Sequence, residues 1–268
     1  ALPVLPLGAR VRAAFGSPST ATAEAVTGSI EQAARAARAG AASAVVTNPI
    51  QKSVLMEAGF AYPGHTEYIA ALTADDQNGP DSRPEPVMMI ASPALRVVPL
   101  SIHVSLRDAL TNIETGKIIR TGLTLHAALK QDFGIARPRI AVAGLNPHAG
   151  EGGAFGEEEI AQIAPAIAAL QAEGVAAIGP LPPDTMFHEE ARATYDAALC
   201  MYHDQALIPA KTLDFHGGVN VTLGLAIVRT SPDHGVALDL AGTGRARPDS
   251  LIAAIRLAGE IAARRAPA

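Results

Sequence analysis

The chain has 268 residues, enough to bury a sizeable core, and its 49% hydrophobic and 18% charged residues are typical of a globular protein. Its formal net charge is −5, and Lys and Arg are scattered, so we expect no nucleic-acid partner. No apolar run reaches the ~18 residues of a membrane span, and the first residues lack the basic leader of a secretory signal. The single cysteine, Cys200, excludes an intramolecular disulfide and fits a reducing cytoplasm.

Along the chain, helical segments alternate with short apolar runs. Strands are predicted at 44–47, 139–143 and 197–202, and helices at 29–38, 157–170 and 251–264. Gly40 is placed to end the first helix, and Pro165 should kink or restart the second, which three glutamates open. The Pro- and Gly-rich stretch 75–86 predicts an exposed loop. The alternation of strands and helices predicts an α/β fold.

Three of the eight histidines directly follow extended apolar segments. His103 follows 97–102, His148 follows Asn146-Pro147, and His203 follows Met201-Tyr202. In α/β proteins the carboxyl ends of strands carry the ligand site, and three imidazoles would leave open positions on a catalytic metal. Imidazole favours zinc, cobalt, nickel or manganese over magnesium or calcium. The alternative is that the three histidines have unrelated roles, because histidines so far apart in the sequence do not match any metal-binding motif.

The other histidines and a glycine-rich stretch are less informative. His126 in a helical segment and His188 in an acidic loop are expected to be structural or on the surface, and His216 is left open. Residues 150–153 either let the backbone approach a ligand or form a flexible turn. Their glycine spacing does not match the dinucleotide-binding G-x-G-x-x-G fingerprint.

Several motifs together resemble the 4-hydroxythreonine-4-phosphate dehydrogenase family of the pyridoxal phosphate pathway. They are Pro-Gly-His-Thr-Glu-Tyr at 63–68, His-Val-Ser-Leu-Arg-Asp at 103–108, Gly-Leu-Asn-Pro-His-Ala-Gly-Glu at 144–151, and the segments 179–185, 201–205 and 218–224. The resemblance implies two-lobed α/β/α layers like those of isocitrate and isopropylmalate dehydrogenases. It implies one catalytic unit over 1–268, with two interleaved lobes and the active site in the cleft between them. The family's opening glycine-rich segment is not found, so the chain is expected to start inside the first lobe.

The resemblance also implies roles for individual residues. It makes His103, His148 and His203 the ligands of one divalent metal per site (Zn²⁺, Co²⁺, Mn²⁺ or Mg²⁺), shared across a homodimer. It makes His65, Thr66, Lys211, Asn220 and Arg229 substrate-binding residues, and Asp184, Asp204 and Lys211 the catalytic candidates. The segment 234–242 resembles the cofactor loop of isocitrate and isopropylmalate dehydrogenases, which implies that His234, Gly235 and Ala237 contact NAD or NADP. The alternative for that segment is a tight loop before the last helix.

The implied activity is the NAD(P)-dependent oxidation of 4-phosphohydroxy-L-threonine to 2-amino-3-oxo-4-phosphooxybutanoate, which loses carbon dioxide to give 3-amino-2-oxopropyl phosphate. Two alternatives stay open. A sister dehydrogenase would act on a four-carbon phosphorylated sugar acid or a cis-dihydrodiol dicarboxylate. A non-catalytic binding protein would keep the same fold. In each case we expect a cytoplasmic protein.

Overall fold

The computed structural model describes residues 3–74 and 85–266. It divides into two compact units: unit 1 comprises Ala1–Pro86 and Leu225–Ala262, and unit 2 comprises Val87–Gly224 and Ala263–Ala268. The predicted loop at 75–86 lies outside the described residues except for Glu85 and Pro86. Both units combine strands with helices, which confirms the predicted α/β class.

Helices and short strands follow one another along the described chain. The helices are α1 (Ala23–Arg38), α2 (Lys52–Glu57), α3 (His65–Thr73), α4 (Leu106–Thr111), α5 (Thr115–Gln131), α6 (Ala164–Ala172), α7 (Glu189–Arg192), α8 (His203–Leu213) and α9 (Asp249–Arg265). The strands are β1 (Val45–Val46), β2 (Val87–Ala91), β3 (Arg96–Pro99), β4 (Arg139–Ala143), β5 (Ala176–Leu181), β6 (Ala197–Cys200), β7 (Val219–Leu223) and β8 (Arg229–Pro232). Within residues 3–74 and 85–266, no helix has both the length and the apolar character needed to cross a membrane.

Unit 1 packs α1 and α3 around a small parallel strand pair. β1 and β8 run parallel, with Val45 opposite Arg229. Its core includes Ile30 from α1, Val45 from β1 and Ile69 from α3. The predicted helix 29–38 is the second half of α1, and Gly40, at φ 73°, follows its end as expected. The pairing of β1 with β8 places Arg229 next to the first residue of β1.

Unit 2 contains a mixed sheet in the order β7-β2-β3-β6-β4-β5. β2 is antiparallel to both of its neighbours, whereas β3, β6, β4 and β5 run parallel. All four residues of β6 and four of the five in β4 are buried, as expected of strands covered on both faces. The carboxyl ends of β3, β6 and β4 therefore lie at one edge of the sheet.

The predicted helix at 157–170 is two elements. A π-helical turn, Glu159–Ile163, precedes α6, and Pro165 lies at the first turn of α6. There its missing N–H and fixed φ are tolerated, so Pro165 marks a restart rather than a kink. The predicted strand at 197–202 was too long, because the chain leaves the sheet after Cys200 and α8 begins at His203.

Candidate active site

Three imidazoles follow the aligned carboxyl ends of unit 2. His103 comes shortly after β3, His203 opens α8 just after β6, and His148 comes shortly after β4. β6 pairs with β3 on one side and with β4 on the other. The three histidines predicted as metal ligands therefore belong to neighbouring strand ends of one sheet.

His103 and His203 share a cavity of about 240 Å³, which Ser101, Tyr202 and Asp204 also line. The centroids of the two imidazole rings are 6.1 Å apart. His203 Nδ1 lies 2.7 Å from Asp204 Oδ1. A carboxylate on one ring nitrogen fixes the tautomer and orientation of an imidazole, which directs Nε2 of His203 toward a ligand.

His148 lies on a strained loop. Residues 148–152 all have left-handed backbone angles, with φ between 40° and 79°, and His103 has φ 42°. Each non-glycine residue in this region costs on the order of 1–3 kcal/mol, and such strain concentrates at ligand sites. At Gly150 a Cβ would lie 2.7 Å from Glu159 Oε2, so only glycine fits there. The stretch 150–153 is thus part of a defined left-handed turn.

Glu159 holds that loop in place. Its Oε1 accepts hydrogen bonds from the backbone N–H groups of Leu145 and Asn146, both at 2.7 Å, and its Oε2 accepts from Asn146 Nδ2 at 2.9 Å. Glu159 is 3% exposed. Burial by itself would raise the pKa of this carboxyl, but the hydrogen bonds from Asn146 and Leu145 bring it below the ordinary value. From the sequence, Glu159 was expected only to be one of three acids opening a helix, and this role was missed.

Gln205 joins the ends of two strands. Its Oε1 accepts from Met201 N at 2.7 Å, and its Nε2 donates to Gly144 O at 2.8 Å. Met201 follows β6 and Gly144 follows β4, so one buried amide connects the segments that lead to His203 and His148. This role was also missed from the sequence, although Gln205 lies inside the family motif at 201–205.

The donor chemistry at these strand ends fits a divalent metal, because imidazole nitrogens with an orienting carboxylate are typical ligands. His148, however, does not line the cavity of His103 and His203. In the described part of the chain, no three His, Cys, Asp or Glu side chains form a group that could hold a metal ion. Within the described residues, the chain brings His103 and His203 to one cavity, and His148 lies outside it.

The remaining predicted residues of unit 2 lie in the turn after β5, on α8 and in β7. Asp184 lines a cavity of about 450 Å³ that Tyr202 and Asp204 also border. Lys211, on α8, places its ammonium 5.7 Å from the centre of the Phe215 ring. Asn220 lies in β7 and is half-buried. Asp204 thus borders both cavities, next to His203.

Three other histidines of unit 2 line neither cavity. His126 lies within α5. His188 precedes α7, and its Nδ1 lies 2.9 Å from Glu190 Oε2 at the surface. His216 packs edge-on against Phe215. The structural or surface roles expected for the first two are consistent with these positions.

Unit 1 contains a buried cation. Arg229 is 4% exposed, and its Nη2 donates to Thr47 Oγ1 at 2.9 Å. Burial lowers its pKa to about 10, against the opposing effect of Glu67. A guanidinium stays charged at this pKa, so near neutral pH the site favours an anion.

His65, the first residue of α3, belongs to the same electrostatic environment. Burial, then Arg229 and Lys52, lower its pKa to about 4, so the imidazole is neutral near pH 7. Thr66 follows it in the first turn of α3. A neutral imidazole beside cationic groups offers hydrogen bonding without adding charge.

The predicted cofactor residues lie before a short 3₁₀ turn, Leu238–Leu240. His234 Nδ1 lies 2.8 Å from Gly235 O, and Ala237 has φ 45°. A Cβ built on Gly235 would meet no atom within 4 Å, so the backbone there is accessible. These features suit a loop that a ligand approaches along its backbone, and the cofactor role stays a prediction.

Comparison with known proteins identifies the family. The family model described as pyridoxal phosphate biosynthetic protein PdxA matches residues 1–258. The chain belongs to the PdxA family. A PdxA-family relative from Bradyrhizobium diazoefficiens, named 4-hydroxythreonine-4-phosphate dehydrogenase, is 59% identical over 263 residues, covering 98% of this chain and 75% of the relative. This confirms the family inferred from the motifs.

Solved structures of PdxA-family proteins and of a second activity are also similar. The crystal structure of 4-hydroxythreonine-4-phosphate dehydrogenase from Klebsiella pneumoniae is 42% identical, with a TM-score of 0.81 over 92% of this chain and 73% of that chain. The terephthalate 1,2-cis-dihydrodiol dehydrogenase from Burkholderia xenovorans LB400 is 30% identical, with a TM-score of 0.66 over 92% of this chain and 76% of that chain. Both the sequence identity and the TM-score are higher for the Klebsiella pneumoniae structure.

Proposed function

We propose that the protein oxidises 4-phosphohydroxy-L-threonine with NAD or NADP to 2-amino-3-oxo-4-phosphooxybutanoate, which loses carbon dioxide to give 3-amino-2-oxopropyl phosphate in pyridoxal phosphate biosynthesis. The observation that carries this proposal is the 59% identity, over 98% of the chain, to a relative named 4-hydroxythreonine-4-phosphate dehydrogenase. We place the reaction in the cytoplasm, because a lone buried cysteine suits a reducing compartment.

We assign the metal to His103, His148 and His203 and the nicotinamide to His234, Gly235 and Ala237. A divalent metal held there would polarise the substrate oxygen, and a bound nicotinamide would supply the hydride acceptor. Imidazole donors favour Zn²⁺, Co²⁺ or Mn²⁺ over Mg²⁺. The orienting contact from Asp204 to His203 supports this donor set.

The substrate contacts that we propose are His65, Thr66, Lys211, Asn220 and Arg229. Arg229 offers a buried guanidinium with two-pronged hydrogen bonding, which suits a phosphate or carboxylate. The neutral imidazole of His65 accepts or donates a hydrogen bond without repelling Arg229. Because Asp204 is engaged with His203, we favour Asp184 or Lys211 for moving the proton released on oxidation.

We propose a homodimer that completes the metal site. Two observations support it: one chain gathers two of the three imidazoles, and large apolar side chains are exposed around the same segments. Ile208 and Phe215 are 65% and 68% exposed, and Leu106, beside His103, is 60% exposed. Sedimentation should give a dimer. A monomer at micromolar concentration that holds a full complement of metal would contradict the shared site.

The substrate is tested by steady-state kinetics with 4-phosphohydroxythreonine, its unphosphorylated analogue and a cis-dihydrodiol dicarboxylate. We expect NADH or NADPH formation with the phosphorylated compound and a large loss of kcat/KM without phosphate. Equal efficiency with and without phosphate would reject the proposed substrate. Preference for the dihydrodiol would favour the activity of the Burkholderia relative, and absence of any reduced cofactor would favour a binding protein.

The metal ligands are tested by elemental analysis of His148→Ala with His188→Ala as the matched control. His188 is an exposed histidine of the same unit that contacts Glu190. We expect the first variant to lose the bound metal and the second to retain it. Metal at wild-type stoichiometry in His148→Ala would remove His148 from the ligand set.

A further inference from the structure

Ser101 is a buried polar residue at the proposed metal cavity. It follows β3 directly after Leu100, whose N–H donates to Cys200 O at 2.8 Å, so the two chain segments leave the sheet side by side. Ser101 is 4% exposed and lines the cavity together with His103 and His203. Its Oγ has no hydrogen-bond partner among the described residues. Ser101 thus lies in the wall of the cavity, and the hydrogen-bonding capacity of its buried Oγ is unused among the described residues.

A buried hydroxyl without a partner is unfavourable, and native proteins satisfy nearly all such groups. Ser105 shows the usual arrangement in the same segment. Its Oγ accepts from Asp108 N at 3.1 Å and donates to Asp108 Oδ2 at 2.6 Å, at the start of α4. Ser101 has no corresponding structural contact among the residues that the structure describes. The partner of its hydroxyl is therefore expected to be a ligand in the cavity.

We propose that Ser101 is a substrate-binding residue, whose hydroxyl donates a hydrogen bond to an oxygen atom of the hydroxy-acid substrate beside His103 and His203. This inference rests on the proposed function, since it takes the occupant of the cavity to be that substrate. A hydroxyl donates one proton and accepts through its lone pairs, so it suits a hydroxyl, ketone or carboxylate oxygen. Because the contact is made in the bound substrate, its loss appears chiefly in KM and in the dissociation constant.

The test compares Ser101→Ala with Ser105→Ala in the metal-loaded protein. Three quantities are measured for each: the dissociation constant of 4-phosphohydroxythreonine by calorimetry without cofactor, KM against kcat, and Tm without substrate. For Ser101→Ala we expect about tenfold weaker substrate binding, the usual worth of one hydrogen bond, with unchanged metal content and no fall in Tm. For Ser105→Ala we expect a lower Tm, since it loses a helix cap, and substrate binding within about twofold of wild type.

Ser101→Thr keeps a hydroxyl at the same position and should restore most of the binding. If wild type binds and oxidises the substrate but Ser101→Ala binds it less than about threefold more weakly, the inference fails and the proposed function stands. A fall in Tm as large as that of Ser105→Ala would equally overturn it, because Ser101 would then be structural. If wild type neither binds nor oxidises the substrate, the proposed function fails, and the inference fails with it.

Discussion

Replacing Glu159 by Ala removes the carboxylate that holds the loop before His148. The change takes away the acceptor of two backbone N–H groups, those of Leu145 and Asn146, each at 2.7 Å. Asn146 Nδ2 keeps a second acceptor, Glu158 Oε2, at 2.7 Å. A buried donor left unpaired costs roughly 1–3 kcal/mol, and Leu145 and Asn146 are only half-buried, so we expect a loss of about 3 kcal/mol in the free energy of unfolding.

The assay is urea denaturation of Glu159→Ala against Glu157→Ala, the exposed glutamate at the start of the same acidic triplet. Exposed substitutions usually change stability by less than about 0.5 kcal/mol, so the control should resemble wild type. Glu159→Gln should fall between the two. It retains one oxygen for the backbone N–H groups but turns an amide NH₂ toward Asn146 Nδ2.

A second readout follows the loop itself. Since residues 148–152 hold left-handed angles next to Glu159, we expect Glu159→Gln to bind Zn²⁺ at least about tenfold more weakly than wild type under conditions where both are fully folded. If Glu159→Ala unfolds with the same free energy as Glu157→Ala, the carboxylate does not hold the loop. That result would refute the role of Glu159 in positioning His148.

Three further predictions concern other parts of the chain. The pKa of His65 is about 4 in the folded protein, against an ordinary value of 6.5. As the pH falls, the unfolded state therefore binds a proton before the folded state does. The free energy of unfolding should drop by about 2 kcal/mol between pH 8 and pH 5. His65→Gln should lack that part of the decline in denaturation curves, and identical pH slopes would contradict it. Asp132 accepts hydrogen bonds from Arg265 Nε at 2.6 Å and Nη2 at 2.8 Å. Asp132→Ala takes the carboxylate away from this half-buried cation, so urea denaturation should show a free energy of unfolding lower by about 3 kcal/mol. A decrease below about 1 kcal/mol would argue against a stabilising pair. Cys200 is fully buried and burial raises the pKa of its thiol, so Ellman's reagent should label it only after unfolding; rapid labelling of the native protein would show the segment to be open.

Features encoded in local patterns could be predicted from the amino-acid sequence. Short apolar runs such as 139–143 and the helical segments between them were enough to predict the α/β class, and the ordered motifs identified the family. The sequence also predicted that His103, His148 and His203 follow strands, because a strand and the polar residues that end it are neighbours in the chain. The helix at 157–170 was predicted with the wrong internal structure, since a π-helical turn has no distinct local pattern.

Which of these residues come into contact depends on the folded chain and could not be predicted from local patterns. His103 and His203 share a cavity because β3 pairs with β6, and no local pattern specifies the order of strands in a sheet. Glu159 reaches Asn146 across 13 residues, and Gln205 reaches Gly144 across 61. Such partners depend on long-range packing. Glu159, an acid that suits the start of a helix, is buried against backbone N–H groups instead. Burial and unsatisfied hydrogen bonding, which single out Ser101, exist only once the chain is folded.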